Sequence, residues 1–365
     1  MSREEIQKEA LEISLHHKRA GLAISMGVGK TRIAIQHLLK CYNPFIKALV
    51  VVPKNQVIES WKKELILMNA ESMLDHITFS TYLSLNKQNP ADYDILYLDE
   101  CHSLLVTHIS FLSNFSGKIL GLTGTPPKNK KSDKWRLVNS YCPIKYTITV
   151  DDATDSSILN DYRIFVHELE LCKVKTIQKT SRNGNLWWTS ELADYEYSTT
   201  RCEEARSFKE KQFAAILRMK ALMSYETKEK YVQSLSSNLN SKCIIFANTM
   251  LQADKLSKYS YHSGNKNSEQ NLKLFSDGTI NKLSCVLQLS EGISIPDLKQ
   301  GIIMHAYGNE RKTAQRIGRL LRLNPTETAA CHILCYKGTQ DEVWVKKALE
   351  TFDSNKIKYH NPLKR

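Results

Sequence analysis

The residues best suited to chemistry are Lys30 and Thr31, which follow two glycines in Met26-Gly27-Val28-Gly29-Lys30-Thr31. Glycines at alternate positions let a backbone turn tightly and aim its N–H groups at phosphate oxygens. A lysine placed there reaches the β- and γ-phosphates of a nucleotide, and the adjacent threonine hydroxyl binds Mg²⁺. One position departs from the general phosphate-loop pattern. Six residues before Lys30, where that pattern has glycine, stands Ile24.

The second constellation is Asp99-Glu100-Cys101-His102, directly after the apolar run 95–98. Two adjacent carboxylates at the end of a buried strand are costly unless they serve a cation or a reaction. Asp99 is expected to hold Mg²⁺, and Glu100 to orient and deprotonate an attacking water. His102 is expected to carry a signal between the nucleotide and a second domain. An acidic helix cap is the simpler alternative, and it accounts for Asp99 alone. Thr123-Gly124-Thr125-Pro126 forms a tight hydroxyl-bearing loop. Thr123 and Thr125 are expected to bond both the acidic motif and a neighbouring domain.

A third set lies near the C-terminal end. Gln315, Arg319 and Arg322 recur every three to four residues, so they share one face of a helix over 311–321 and just beyond it. That face is basic and has no acidic partner in its own helix, which suits either solvent or a phosphate. Gly292 lies in a loop, 290–296, that follows an apolar run. Gln7 sits about one long helix ahead of the phosphate loop. It can fold back and read an adenine edge, or remain a solvated surface glutamine.

The elements that must position these groups read as an α/β chain. Apolar runs at 21–24, 48–52, 77–80, 95–98 and 118–122 are buried strands, and periodic segments between them are helices. The first helix is expected over 1–17, with Ile6, Leu11, Ile13 and Leu15 as its apolar positions. The helix after the phosphate loop is expected over 32–40, with Ile33, Ile35, Leu38 and Leu39 inward. Loops at the ends of parallel strands share one sheet edge, which puts Lys54 and Thr81 in reach of a bound ligand. Residues 151–160 read as an acidic linker and 162–171 as a strand. Asn183-Gly184 between strand-like runs signals a hairpin bearing Arg182, Trp187 and Trp188. Its aromatic and basic groups suit nucleic acid, unless both tryptophans pack onto the domain core. Residues 203–239 read as helical. Strands at 243–246, 259–262, 285–289 and 301–304, with a helix at 268–275, complete a second domain. The expected division is 1–150, then 151–350 with a hairpin insertion at about 172–190, then a basic tail over 351–365.

Length and charge agree with this reading. A chain of 365 residues suits about two domains. The net charge of +13, from 51 Lys and Arg against 38 Asp and Glu, favours a polyanionic partner. Nine scattered cysteines read as reduced core residues. Residues 1–19 are strongly charged and no apolar run approaches membrane-spanning length. A soluble cytoplasmic monomer with no membrane partner is expected.

Taken in order, these motifs resemble the superfamily 2 helicases and translocases, over roughly residues 5–350. The Walker A loop of that family is similar to residues 26–31, its DExH-type Walker B to Asp99–His102, and its third motif to residues 123–126. Its fifth motif resembles 291–296 and its sixth 315–322. The resemblance implies two tandem RecA-like domains with parallel sheets flanked by helices, and ATP with Mg²⁺ as cofactors. Lys30, Thr31, Asp99 and Glu100 would serve from the first domain, and Gly292 would count among the cofactor-binding residues. Arg319 and Arg322 would act as arginine fingers from the second, with Gln315 beside them, and Gln7 would read adenine. Val51-Val52-Pro53-Lys54 and Trp61-Lys62-Lys63-Glu64-Leu65 resemble Swi/Snf-type DNA translocases, and the whole is similar to small phage UvsW-like helicases. Two departures stand out: Ser294, where many members have Asp, and Leu320-Leu321, where many RNA helicases have small residues. A chain with no added zinc or nuclease module fits a phage-like protein of the host cytoplasm, with roles in DNA repair or recombination. The expected activity is ATP-dependent movement on, or remodelling of, duplex or branched DNA. The alternatives are an RNA-stimulated ATPase and, further off, a non-catalytic nucleic-acid binder.

Overall fold

The computed structural model describes residues 1–25, 27–181, 183–286, 295–306, 317, 327–350 and 352–361. The chain divides into two compact units, the first built on Met1–Asp161 and the second beginning at Tyr162.

The first unit is organised on six strands: β1 (Arg19–Ile24), β2 (Ala48–Val52), β3 (Ile77–Thr81), β4 (Ile95–Asp99), β5 (Lys118–Thr123) and β6 (Ile144–Ile148). Their order is β3-β2-β4-β5-β1-β6, and every pairing is parallel. β2 and β4 are buried along their whole length, which is why both read as unbroken apolar runs rather than alternating ones. Leu49, Val51, Leu96 and Leu98 from these strands form one core with Leu104, Phe111 and Phe115.

Three helices frame the site: α1 (Arg3–His16), α2 (Lys30–Cys41) and α3 (Asn55–Leu67). Ser2 and Glu5 close a reciprocal capping box at the start of α1, satisfying two orphan N–H groups. The buried stripe of α1 is Ile6, Gln7, Ala10 and Ser14, not the expected Leu11, Ile13 and Leu15, which are half-buried. Small Ala10 and Ser14 let α1 approach the sheet closely, a preference that hydrophobic periodicity does not reveal. Leu39 on α2 is likewise exposed, whereas His37 is buried against Tyr97.

The end of this unit differs from the sequence reading in two places. Residues 144–148, unassigned in the sequence reading, form β6 beside β1. Residues 151–160 are not a linker: Thr149 caps a helix, Val150–Asp155, and Ile158 and Leu159 are buried.

The second unit carries β7 (Asp161–Leu169), β8 (Ile177–Thr180), β9 (Leu186–Thr189), β10 (Cys243–Phe246), β11 (Ser260–Tyr261), β12 (Lys282–Cys285), β13 (Gln300–Ile303), β14 (Thr328–Tyr336) and β15 (Ile357–His360). Seven of these make one sheet in the order β11-β12-β10-β13-β14-β7-β15, while β8 and β9 pair only with each other. β11, β12, β10, β13 and β14 are parallel throughout. Residues 357–360 are therefore not part of a tail, because they add β15 in parallel to β7. The stretch 203–239, expected to be helical, holds two helices, Phe208–Ser224 and Glu226–Ser237, and a further helix, Glu191–Glu203, precedes them. β12 starts three residues before the expected strand, and 287–289 lie outside the described residues. A fully buried Lys228 ties this unit together by pairing with Asp341 and donating to the carbonyls of Met304 and Leu334. No helix among the described residues is long and apolar enough to cross a membrane.

Candidate active site

In a wholly parallel sheet the C-terminal strand ends share one edge, and strand order decides which loops meet there. β5 lies between β1 and β4. Thr123 is in register with Ala23 on one side, and Leu122 with Asp99 on the other. The loop after β1, the Thr123 loop and the acidic pair are thus neighbours because of pairing, although 70 residues or more of sequence separate the first from the others.

Gly27 and Gly29 have φ of +88° and +105°, a region that disfavours any other residue. A side chain at either position would also displace a neighbour. A Cβ on Gly29 would lie 2.6 Å from Gln7 Nε2, and one on Gly27 2.9 Å from Leu159 Cδ2. Val28 between them is buried, and its carbonyl accepts from Gln7 Nε2 at 2.7 Å and Arg3 Nε at 3.1 Å. Lys30 Nζ donates to the carbonyl of Ile24 at 3.0 Å. That bond explains the tolerated departure at Ile24, since the position contributes its backbone while its side chain fills the core. Lys30 and Thr31 open α2, whose N-terminus has no side-chain cap. Its first N–H groups and the positive end of the helix dipole remain available to an anion. Met26 lies outside the described residues.

The acidic pair is held with equal definition. Asp99 is buried; Trp61 Nε1 donates to its Oδ2 at 2.9 Å and Tyr82 OH to its carbonyl at 2.8 Å. Burial raises the Asp99 pKa to about 6, with the neighbouring Glu100 adding to it, while Trp61 and Lys30 oppose the rise. Glu100 has φ of +52°, left-handed for a residue with a side chain. Such strain costs roughly 1–3 kcal/mol and persists where surroundings over-determine it. Here they do. Glu100 Oε2 lies 3.2 Å from His102 Nδ1 and accepts from Thr123 Oγ1 at 3.4 Å. His102 Nδ1 is 2.9 Å from Thr123 Oγ1, which also accepts from the Thr125 N–H at 3.1 Å. Thr123 therefore bonds the acidic motif directly, whereas Thr125 reaches it through Thr123, to which it gives its backbone N–H.

The residues present fit a nucleotide phosphate and its metal ion. Ser25 Oγ and Thr125 Oγ1 are buried with no hydrogen-bond partner among the described residues, next to the loop and the acidic pair. A polar group left so costs about 1–3 kcal/mol, which a phosphate oxygen would relieve. A groove of about 370 Å³ runs alongside, lined by Arg3, Gln7, Leu11 and Gln36 of α1 and α2 among others. Gln7 lines it, while its amide nitrogen is engaged by Val28, so Gln7 clamps the loop as well as facing the groove.

Among the expected nucleic-acid residues, Lys54 is exposed at the end of β2 and Thr81 half-buried at the end of β3. Both lie across β4 from the phosphate loop. Trp187 and Trp188 are exposed on the β8–β9 hairpin, so neither packs onto the core. Arg182, Gly292, Gln315, Arg319 and Arg322 lie outside the described residues. Arg3, Tyr82 and the hydrogen-bonding role of Trp61 escaped the sequence reading. Trp61 is visible there only as an apolar helix position, since its N–H partner is set by tertiary packing.

A parallel sheet with a glycine loop before a helix on one strand and a carboxylate pair on another defines a RecA-like nucleotide-hydrolysing fold. Residues 1–128 match the Type III restriction enzyme res subunit family, and residues 226–324 the helicase conserved C-terminal domain. Together these matches support a superfamily 2 helicase or translocase, and the helicase and translocase families are nucleic-acid-dependent ATPases. It is 25% identical over 369 residues to the DNA 3'-5' translocase XPB2 of Sulfurisphaera tokodaii, covering 92% of this chain and 82% of that one. Its fold is similar to the Type ISP restriction-modification enzyme LlaBIII bound to DNA, with a TM-score of 0.63 and 16% identity. That match covers 99% of this chain but 31% of LlaBIII, so the chain spans about a third of that enzyme. The Pyrococcus furiosus Hef helicase domain is similar at a TM-score of 0.52 and 13% identity, over 94% of this chain and 97% of that one.

Proposed function

We propose that this chain is an ATP-dependent DNA translocase or helicase that couples hydrolysis to movement on duplex or branched DNA. The carrying observation is the Glu100–His102–Thr123 cluster beside the Lys30 loop. A carboxylate, an imidazole and a hydroxyl are joined within 3.4 Å at one sheet edge. Glu100 is positioned to take the proton of an attacking water. Lys30 and the N-terminus of α2 would hold the phosphates, and Thr31 with Asp99 would hold Mg²⁺, which neutralises charge on the transferred phosphoryl group. His102 and Thr123 link the carboxylate to the next loop, so a change at the nucleotide is felt at Thr125. The DExH reading of Asp99–His102 and the finger role of Arg319 and Arg322, with Gln315 and Gly292 beside them, belong to the same proposal.

DNA as the track is supported by the name of the translocase relative and by the excess of 51 basic over 38 acidic side chains. Lys54 and Thr81, at strand ends away from the phosphate loop, are the first unit's contacts to it. The test is ATP turnover with single-stranded, duplex and branched DNA and with RNA, at one salt concentration. Strongest stimulation by duplex or branched DNA is expected. Stimulation by RNA alone would overturn the DNA assignment, and turnover indifferent to every nucleic acid would overturn the motor.

A further inference from the structure

The β8–β9 hairpin does not stand alone. In its register Lys179 faces Trp187, and Gln178 faces Trp188. Side chains alternate along a strand, so Lys179 and Trp187 share one face and Trp188 takes the other. The face with Trp187 closes over a cleft of about 870 Å³, whose other walls are the helices Glu191–Glu203 and Phe208–Ser224. Asp194, Tyr197 and Arg201 line it from the first helix, spaced three and four apart, and Lys220 lines it from the second.

The chemistry of this cleft is specific. Asp194 is its one carboxylate, against Lys179, Arg201 and Lys220. It is already neutralised: Lys179 Nζ lies 3.0 Å from Oδ1, and Tyr225 OH donates to Oδ2 at 3.1 Å. Arg201 and Lys220 make no ion pair among the described residues, which leaves two uncompensated cations. Two aromatic faces lie beside them, Trp187 at 47% exposure and Tyr197 at 64%, with the Arg201 guanidinium 5.9 Å from the Tyr197 ring. The walls are firmly anchored. The buried Glu191 accepts from the N–H groups of Cys172 and Thr227, each at 3.0 Å, fixing the first helix to the unit.

We propose that this cleft binds a single nucleic-acid strand, with Trp187 and Tyr197 stacking on bases and Arg201 and Lys220 holding phosphates. Unpaired bases offer π-faces that a duplex hides, and the two cations match the phosphates that join them. A volume of this size suits one to two nucleotides, within the roughly 300–1,000 Å³ of ordinary ligand sites. The inference rests on the proposed motor only for the identity of the polyanion.

The test is equilibrium binding to the full chain without ATP, read by anisotropy of three labelled probes. These are an oligothymidylate, an abasic strand of equal length and a blunt duplex. In the parent, the oligothymidylate should bind more tightly than the abasic strand. Trp187→Ala should weaken oligothymidylate binding roughly 5- to 150-fold and change abasic and duplex binding by less than about twofold. Trp187→Phe keeps a ring and should recover most of the loss. Replacing Arg201 and Lys220 together by Gln should weaken both strands alike and reduce the salt slope by about 1.4, two phosphates at 0.7 each. Trp187→Ala binding all three probes as the parent does would overturn the proposal, and would leave the cleft to a protein partner. Equal losses on thymidylate and abasic strands would overturn it too. Because no ATP is present, this result is independent of hydrolysis: a stacking signature in a chain without ATPase activity would refute the motor and keep the cleft.

Discussion

The indole N–H of Trp61 donates to Oδ2 of Asp99 across 2.9 Å, joining α3 to the end of β4 inside the core. Trp61 is 1% exposed, so this bond has no competition from water. It fixes one carboxylate oxygen and with it the direction of the other, which is what a metal-binding carboxylate needs. Trp61→Phe keeps the ring and removes the donor. Half-saturation of turnover by Mg²⁺ is expected to rise about 10-fold or more, the usual cost of losing an outer-shell partner, with ATP affinity at saturating metal little changed. Mn²⁺ titration by electron paramagnetic resonance reads the same loss without turnover. Unchanged metal dependence would show that the indole only packs.

Gly29→Ala should damage both fold and site. The left-handed φ of +105° strains any L side chain, and a methyl group 2.6 Å from Gln7 Nε2 would push that amide off the Val28 carbonyl. A cost of at least roughly 1–2 kcal/mol is expected from the backbone alone. A lower urea midpoint and loss of binding to a fluorescent ATP analogue are the readouts. A variant that binds the analogue like the parent would mean that the clamp from α1 is dispensable.

Much of this was legible in the sequence, and the rest was not for definable reasons. The glycine loop, the Asp99-Glu100 pair and Thr123 announce themselves because their chemistry demands particular residue types at fixed spacing. β2, and β4 as far as Leu98, are equally plain because strands buried on both faces read as unbroken apolar runs, which makes the carboxylate of Asp99 at the end of β4 stand out. The buried stripe of α1 was misjudged because Ala10 and Ser14 are chosen for close approach and not for hydrophobicity. β6 alternates regularly, Ile144, Tyr146 and Ile148 being half-buried between exposed Lys145 and Thr147, but it is only five residues long and lies at the sheet edge, unlike the unbroken apolar runs of the central strands. Residues 151–160 passed for a linker because their acidic residues mark a capped helix start. β15 was hidden in a basic stretch, where pairing with β7 rather than composition makes the strand. The Trp61–Asp99 bond joins residues 38 apart, and nothing local records it.

Acid should weaken the fold through three buried imidazoles, against which the buried carboxylate of Asp99, raised to about 6, works in the opposite direction. His167 and His332 lie 2.9 Å apart, and burial lowers their pKa values to about 3 and about 4; in His167, His332 adds to the effect. Burial, assisted by Lys118, lowers His37 to about 4. All three lie below the ordinary value of 6.5, so from there downward the unfolded chain binds protons that the folded chain refuses. Stability is complete above about pH 6.5 and falls with pH through that window, each such group adding up to about 1.4 kcal/mol per pH unit. The urea midpoint should therefore drop between pH 7 and pH 5. A flat midpoint over that range would contradict the buried neutral imidazoles.

Arg322→Ala should act on the chemical step. If Arg322 serves the transferred phosphoryl group, its loss should lower kcat on the order of 10³-fold, with ATP affinity changed far less. Arg319→Ala should follow the same pattern. Normal turnover by purified Arg322→Ala enzyme would remove both residues from the reaction.

The central claim is that Glu100, in its left-handed turn beside Thr123 and His102, is the base of a nucleic-acid-stimulated ATPase. The most direct measurement compares the parent with Glu100→Gln on the same duplex DNA, following phosphate release and binding of a fluorescent ATP analogue. The amide keeps the size and polarity of the side chain but cannot take a proton. Turnover should fall on the order of 10²-fold or more while analogue binding stays within about twofold. A Glu100→Gln enzyme that hydrolyses ATP at the parent rate would contradict the account.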